Sequence, residues 1–537
     1  MKAQCLTLCL LAVTAHVPHA SFPMAGRCSF STPRGSHALK LLAHDADGAL
    51  TAQGLGHSRL SRGRSRRERY ELYATALPKA IESSEVERLL NVHRPRNVRE
   101  YSIGISAFGR SRDWQRALSL LDKMNETGVA PNVFSYSAAI SACEKGGQWE
   151  RALSLLDEMR AAGVTPNVVS YNAAILACKQ GRQWERALSL LDEMRSLGVA
   201  PNVISFNSAI SACERSGKWE QALALLVAMP SVGVHPDVIS FNTAISACKT
   251  SGQWERALSL LVAMQSSGLK PNVISYNAAI SACEKGRELD RVFMLLAEMQ
   301  KAGVAPDTIT FNSAISACEK AGKWERALAL LVAMPSAGVS PDAISFNAAI
   351  SACEKARHWE RALSLLDEMR AAGLTPDVYS FSAAISACEK GGQWDRALSL
   401  LDEMRAAGVT PNVVSFSAAI AACDKGGQFD RVLALLDEMR ATGVAPNTIT
   451  FNSAISACER SGRWDRALLL LADMRAAGVT PNAITFHTAI SACKKGGQLE
   501  AAGAVATGIT VGGRCEWPDT LSFNAAILRA RRAVNPS

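Results

Sequence analysis

A single period dominates this chain. Across 537 residues the stretch from Val98 to Asp519 restates one unit of 35 residues, with starts at Val98, Val133, Val168, Val203, Val238, Val273, Thr308, Ala343, Val378, Val413, Thr448 and Ala483. Eleven units have 35 residues, the twelfth reaches Asp519 in 37, and a truncated unit with a tail covers 520–537. Such self-similarity excludes a string of unrelated globular domains, because each unit is one supersecondary element that buries its apolar faces only against its neighbours.

The unit from Val168 to Asn202 shows what that element is. Tyr171, Ala174, Ile175 and Cys178 fall at i, i+3, i+4 and i+7, which is one apolar helix stripe. Gly181 ends the stripe, and Ala187, Leu190, Leu191 and Met194 repeat the spacing in a second helix that stops near Gly198 and Pro201. The pattern predicts a helix-turn-helix hairpin, and twelve hairpins stacked in register predict an all-α solenoid. Small residues at positions 7, 10 and 11 of the unit, such as Ala174, Ala177 and Cys178, are expected to let first helices approach and to line the concave side. Tryptophan stands at position 17 in nine units, including Trp149, Trp184 and Trp394. It opens the second helix and is read as packing on the hairpin turn rather than stacking on a ligand.

Fifteen cysteines raise the question of metal or disulfides, and spacing answers it. Eleven of them, from Cys143 to Cys493, recur every 35 residues with no CxxC pair among them, which is the pattern of a small buried core residue. Zinc needs four converging ligands, and the nine histidines form no HExxH motif and no deaminase signature. No metal, cofactor or small-molecule substrate is expected, and no residue pattern reads as an active site. The net charge of +9 suggests nucleic acid until it is located: residues 1–70 hold ten Lys/Arg and three Asp/Glu, so +7 sits there and only +2 remains for the other 467 residues.

Those first 70 residues read as a targeting leader rather than part of the fold. An apolar stretch from Cys5 to Val17 is too short for a membrane span and resembles a signal peptide. A segment rich in Ser, Ala and Arg follows, without acid before Asp45 and with six arginines between Arg59 and Arg69, which is transit-peptide composition. The order resembles the bipartite leader of proteins sent to plastids bounded by extra membranes; a mitochondrion and simple secretion are the alternatives. Residues 71–97 are expected to be a linker or an N-terminal cap helix.

Among 35-residue helical repeats the details matter. The Val/Ile-Ser-Tyr/Phe-Asn opening, the Ala-Leu-x-Leu-Leu-x-x-Met second helix and the Pro-Asp/Asn close differ from the 34-residue tetratricopeptide pattern and resemble the pentatricopeptide repeat (PPR) family. That resemblance implies a right-handed superhelix that binds single-stranded RNA, one base per repeat, read by positions 5 and 35. Asp at position 35 accepts the ring N–H of uracil or guanine, and an Asn amide donates to the bare ring nitrogen of adenine or cytosine. A short hydroxyl at position 5 leaves room for a purine, whereas Asn reaches a pyrimidine.

Carried onto this chain, Ser102 with Asn132 and Ser137 with Asn167 imply adenine. Asn172 with Asn202 implies a pyrimidine, C preferred, and Asn207 with Asp237 implies U. Asn242 with Asn272 again implies C or U, and Asn277 with Asp307, Asn312 with Asp342, and Asn347 with Asp377 imply three U. Ser382 with Asn412 and Ser417 with Asn447 imply adenine, Asn452 with Asn482 C or U, and His487 leaves the twelfth repeat without a base. The implied target is 5′-AAYUYUUUAAY-3′. Position 2, apolar in all units but the first, where Arg99 stands, is expected to sandwich bases. A basic row at position 13, namely Lys145, Arg215, Lys285, Lys320, Lys355, Lys390, Lys425, Arg460 and Lys495, is expected to meet phosphates or else to end a helix in solvent. The expected role is passive RNA binding in organellar RNA processing, stability or translation, with enzymatic activity supplied by protein partners if at all. The alternative is a scaffold that holds a peptide in the same groove.

Overall fold

The computed structural model describes residues 72–507, apart from Ile81 and His93. The leader and the truncated last unit assigned above lie outside these residues. Every described element is helical. Each repeat opens on a helix of 13 residues, for example Val133–Lys145, and returns on a second, such as Trp149–Ala161.

Local chemistry sets these limits. The Asn or Asp that closes one unit is the N-cap of the next: Asn132 Oδ1 accepts the backbone N–H groups of Phe134 and Ser135 at 3.0 and 3.1 Å, satisfying donors that no helical carbonyl reaches. In all ten repeats from Val168 onward the cap is reciprocal, with the Ser or Thr at position 3 receiving the N-cap backbone N–H. The hairpin corner at position 15 takes a positive φ, 72° at Gly147 and 69° at Gly217, where glycine has no Cβ to clash. Four repeats place arginine there instead, including Arg182 at 55° and Arg357 at 63°.

In the first unit of the chain, up to Lys270, short helical turns at Leu72–Ala76 and Leu77–Lys79 precede a helix at Ser83–Val92 that buries Val86 and Leu90, the latter beside Gly104 of the first repeat. Within it, first helices of consecutive repeats pack side by side, and each second helix packs on its own first helix and on the next. The second unit, from Pro271, stacks its hairpins in the same way. In both, positions 7, 10 and 11 are fully buried, as at Ala174, Ala177, Cys178, Ala314, Ala317 and Cys318. They form the seam between helices and do not line the concave side, which corrects the expectation above: side chains this small let the backbones close over them.

The tryptophan at position 17 of the unit packs on a hairpin corner, but on that of the following repeat. A Cβ on Gly181 would lie 2.4 Å from the Trp149 ring, and one on Gly426 2.3 Å from that of Trp394. Where position 14 is glycine it admits this close approach and is not required by its φ, which is −76° at Gly181, whereas Ser216, Ser251 and Ala356 stand there in other repeats. A second inter-repeat contact is made by the arginine at position 28. Arg370 bonds Glu403 of the next repeat at 2.8 Å and lies over the Phe381 ring at 5.8 Å, and Arg440 does the same with Asp473 and Phe451. Pro230 and Pro335 replace this arginine, and Pro230 coincides with the early end of the helix Trp219–Ala228.

Candidate nucleic-acid interface

Capping gives the residue at position 35 a fixed orientation. Asp307 Oδ1 accepts the Thr310 backbone N–H at 2.8 Å and the Asn277 amide Nδ2 at 2.9 Å, while among the described residues no side-chain donor reaches Oδ2. Asp237 with Asn207, Asp342 with Asn312, and Asp377 with Asn347 repeat this at 3.1, 3.0 and 3.1 Å. Where position 35 is Asn, the cap claims the amide oxygen in the same way, as at Asn167, Asn202, Asn412, Asn447 and Asn482. The end left over is therefore an acceptor on Asp and a donor on Asn. Burial alone would raise the pKa of Asp307, but the Thr310 backbone N–H, the Asn277 amide and the Thr310 hydroxyl outweigh it and hold the carboxyl below its usual range. Asp237, Asp342 and Asp377 are lowered by the same set of groups.

Position 5 lies one turn along the first helix and joins the same bonds. Asn172 and Asn452 donate to Asn202 and Asn482 at 3.3 Å. Asn242 is buried, and Asn272 caps the helix Val273–Lys285. The serines are set differently: Ser102, Ser137 and Ser417 meet the position-3 hydroxyls of Ser135, Ser170 and Thr450 at 2.9, 2.8 and 2.8 Å. Ser382 is 6% exposed and its hydroxyl has no partner in the protein, a cost that folded chains rarely leave uncompensated. His487 is exposed at the same register.

Beside each polar pair stands a large apolar side chain that the core does not use. Position 2 is 56 to 71% exposed in all eleven repeats from Phe134 to Ile484, Tyr379 being the most open. In the second unit, Ile344, Tyr379 and Val414 line one groove together with Asn312, Asn347 and Ser382, and position 9 serines and position 12 glutamates complete its floor.

The basic row departs from expectation. Lys320, Lys355, Lys390 and Lys425 bond Glu284, Glu319, Glu354 and Glu389 at 2.5 to 2.8 Å, and Arg460 and Lys495 bond Asp424 and Glu459 at 3.3 and 2.9 Å. Each partner is the position-12 acid 36 residues earlier, so these six charges are already neutralised within the protein. Lys145, Arg215 and Lys285 are exposed and carry no ion pair, because the residues 36 positions before them are Gly109, Lys179 and Lys249. Reading within one unit missed these partners; comparing position 12 with position 13 of the next unit would have found them. It also missed the hydroxyl at position 3, which recurs as Ser or Thr in eleven units.

The eleven repeat cysteines are fully buried and reduced, and burial pushes their thiols up, to about 11 at Cys178 and about 12 at Cys318. Among the described residues no three His, Cys, Asp or Glu side chains are grouped to hold a metal ion.

Stacked helical hairpins with a polar pair and an exposed apolar residue repeated in register define a helical-repeat protein. Three family models match it: the pentatricopeptide repeat domain at residues 154–215 and 364–425, the PPR repeat family at six segments between 96 and 495, and the PPR repeat at 134–164, 344–374 and 414–444. The chain belongs to the pentatricopeptide repeat family. No curated protein matches it. Among solved structures, the pentatricopeptide repeat protein PPR10 from maize is similar at 21% identity over 89% of this chain and 85% of that one, with a TM-score of 0.53, which shows a shared solenoid fold. PPR10 in complex with an 18-nt psaJ RNA element matches at 26% identity over 88% of this chain and 67% of that one, with a TM-score of 0.39. The PPR domain of an Arabidopsis thaliana protein-only RNase P in complex with tRNA matches 32% of this chain and 90% of that one at 16% identity, with a TM-score of 0.29.

Proposed function

We propose that the array binds single-stranded RNA, one nucleotide per repeat, and that positions 5 and 35 choose the base. The observation that carries this reading is the division of each position-35 side chain. One end is spent on capping, and the other is left as an acceptor on Asp or a donor on Asn, next to an exposed apolar residue suited to a base face. Membership of the family agrees with it. The reading gives 5′-AAYUYUUUAAY-3′, and occupancy of such a strand would block exonucleases or competing RNA structure without any chemistry by this chain. The leader composition supports an organelle as the site of action, a plastid first and a mitochondrion second.

Equilibrium binding of the full chain to 5′-AAUUUUUUAAU-3′, beside a scrambled strand and the complementary strand at two salt concentrations, tests the function. Preference for the designed strand is expected at both. Absence of RNA binding at low salt would sink the reading and leave the groove to a peptide ligand. Residues 1–70 fused to a fluorescent protein should collect in plastids, and retention in the secretory pathway would contradict that location.

A further inference from the structure

Eleven repeats carry a Ser or Thr at position 3, and all eleven are inaccessible to solvent, as at Ser205, Ser240, Thr310 and Thr485. Helix capping accounts for one bond in ten of them: the Thr310 hydroxyl receives the Asp307 backbone N–H at 3.1 Å. Its proton goes elsewhere. Thr310 Oγ1 lies 2.5 Å from the side-chain oxygen of Asn277, the position-5 residue of the preceding repeat, and 2.8 Å from Asp307 Oδ1. Ser205 meets Asn172, Ser240 meets Asn207 and Thr485 meets Asn452 at 2.6 Å in the same way.

We infer that this hydroxyl is a positioning residue for base reading, which it serves by fixing which way the position-5 amide faces. The inference rests on the base-reading function proposed above. An Asn side chain presents an acceptor and a donor of nearly equal shape, and either can turn toward the ligand. At Asn277 the hydroxyl claims the oxygen and Asp307 claims the nitrogen, so the amide has one orientation. Asn277 is only 9% exposed, so without the hydroxyl its oxygen would be buried with no donor. Turning that oxygen toward the groove would offer an acceptor to the amino group of cytosine, where the native arrangement offers only the lone oxygen of Asp307 for the N–H of uracil. Loss of the hydroxyl thus erodes the choice between U and C at one nucleotide, whereas a residue that only capped its helix would affect all RNAs alike.

The test uses the full chain with Thr310→Val, which keeps the shape and removes the hydroxyl, and Thr310→Ser, which restores it. Binding is measured to 5′-AAUUUUUUAAU-3′ and to the same strand with C at the sixth nucleotide, facing Asn277 and Asp307, or at the eighth, facing Asn347 and Asp377. The parent should prefer U at both. Thr310→Val should lower the U/C ratio at the sixth nucleotide by about fivefold, the scale of one lost hydrogen bond, and leave the ratio at the eighth unchanged, which also reports that the array is folded. Thr310→Ser should keep both ratios. An unchanged ratio at the sixth nucleotide, with affinity for all strands falling together, would make the hydroxyl a cap and overturn the inference. A parent with no U preference at the sixth nucleotide would instead overturn base reading itself, and this inference with it. Ser240→Ala, read at the fourth nucleotide against Asn207 and Asp237, repeats the test at an independent site.

Discussion

Asp237, Asp307, Asp342 and Asp377 each cap a helix and, in the proposed function, accept a hydrogen bond from a base. The two duties use different oxygens, so they do not compete. Burial works against ionisation at each of them, but the backbone N–H at position 3, the position-5 amide and the position-3 hydroxyl keep the folded-state pKa below the ordinary value. A depressed carboxyl pKa contributes stability that is complete above the unfolded value, about 3.9, and is lost as pH falls through the folded value. Stability and U preference should therefore both be flat from about pH 8 to pH 5 and decline only below about pH 4. Thermal melts and U/C ratios across that range check this, and a U preference that titrated away between pH 7 and 5 would contradict it. The capping role of position 35 was legible in the sequence because Asn and Asp favour helix N-caps, and the proposed base reading would use the same two residue types. Position 3 was not, because a serine near a helix start is accounted for by capping alone, and its second partner, as with Thr310 and Asn277, lies 33 residues away.

Helices reveal a division that net charge conceals. In the second unit the first helices carry a ladder in which the acid at position 12 holds the base at position 13 of the next repeat, while in the first unit Lys145 and Arg215 stand exposed without such an acid. Phosphate affinity should follow the unpaired charges. Lys145→Ala or Arg215→Ala should each reduce the slope of log K against log salt by about 0.7. Lys355→Ala or Lys390→Ala should change it far less, because removing the base also frees Glu319 or Glu354. Equal effects from the two groups would show that RNA displaces the acids. The helix limits themselves were readable from apolar spacing and Gly/Pro punctuation, as in the unit from Val168. What escaped that reading was the direction of packing: Trp149 closes on Gly181 of the next repeat, and the small residues at positions 7, 10 and 11 are seam rather than groove. Spacing within one hairpin fixes which side chains share a face, but the neighbour that covers the face is another copy of the unit.

Within each unit every repeat contacts its nearest neighbours, so in the proposed function base choice is a sum of separate local readings and can be altered at one site without disturbing the others. Asp307→Asn is the sharpest such alteration, since Asn caps a helix as well as Asp does and the chain uses it as the cap at Asn202 and Asn482 with the same Asn at position 5. The measurement that tests the account most directly is a cycle of four affinities: parent and Asp307→Asn, each with U or C at the sixth nucleotide of 5′-AAUUUUUUAAU-3′. The account predicts that the parent favours U, the variant favours C, and the two changes together restore most of the affinity that either loses alone, with a coupling of at least about tenfold, the scale of a hydrogen bond to a charged group. Additive losses, with no coupling between residue 307 and the sixth nucleotide, would mean that this side chain caps a helix and reads nothing.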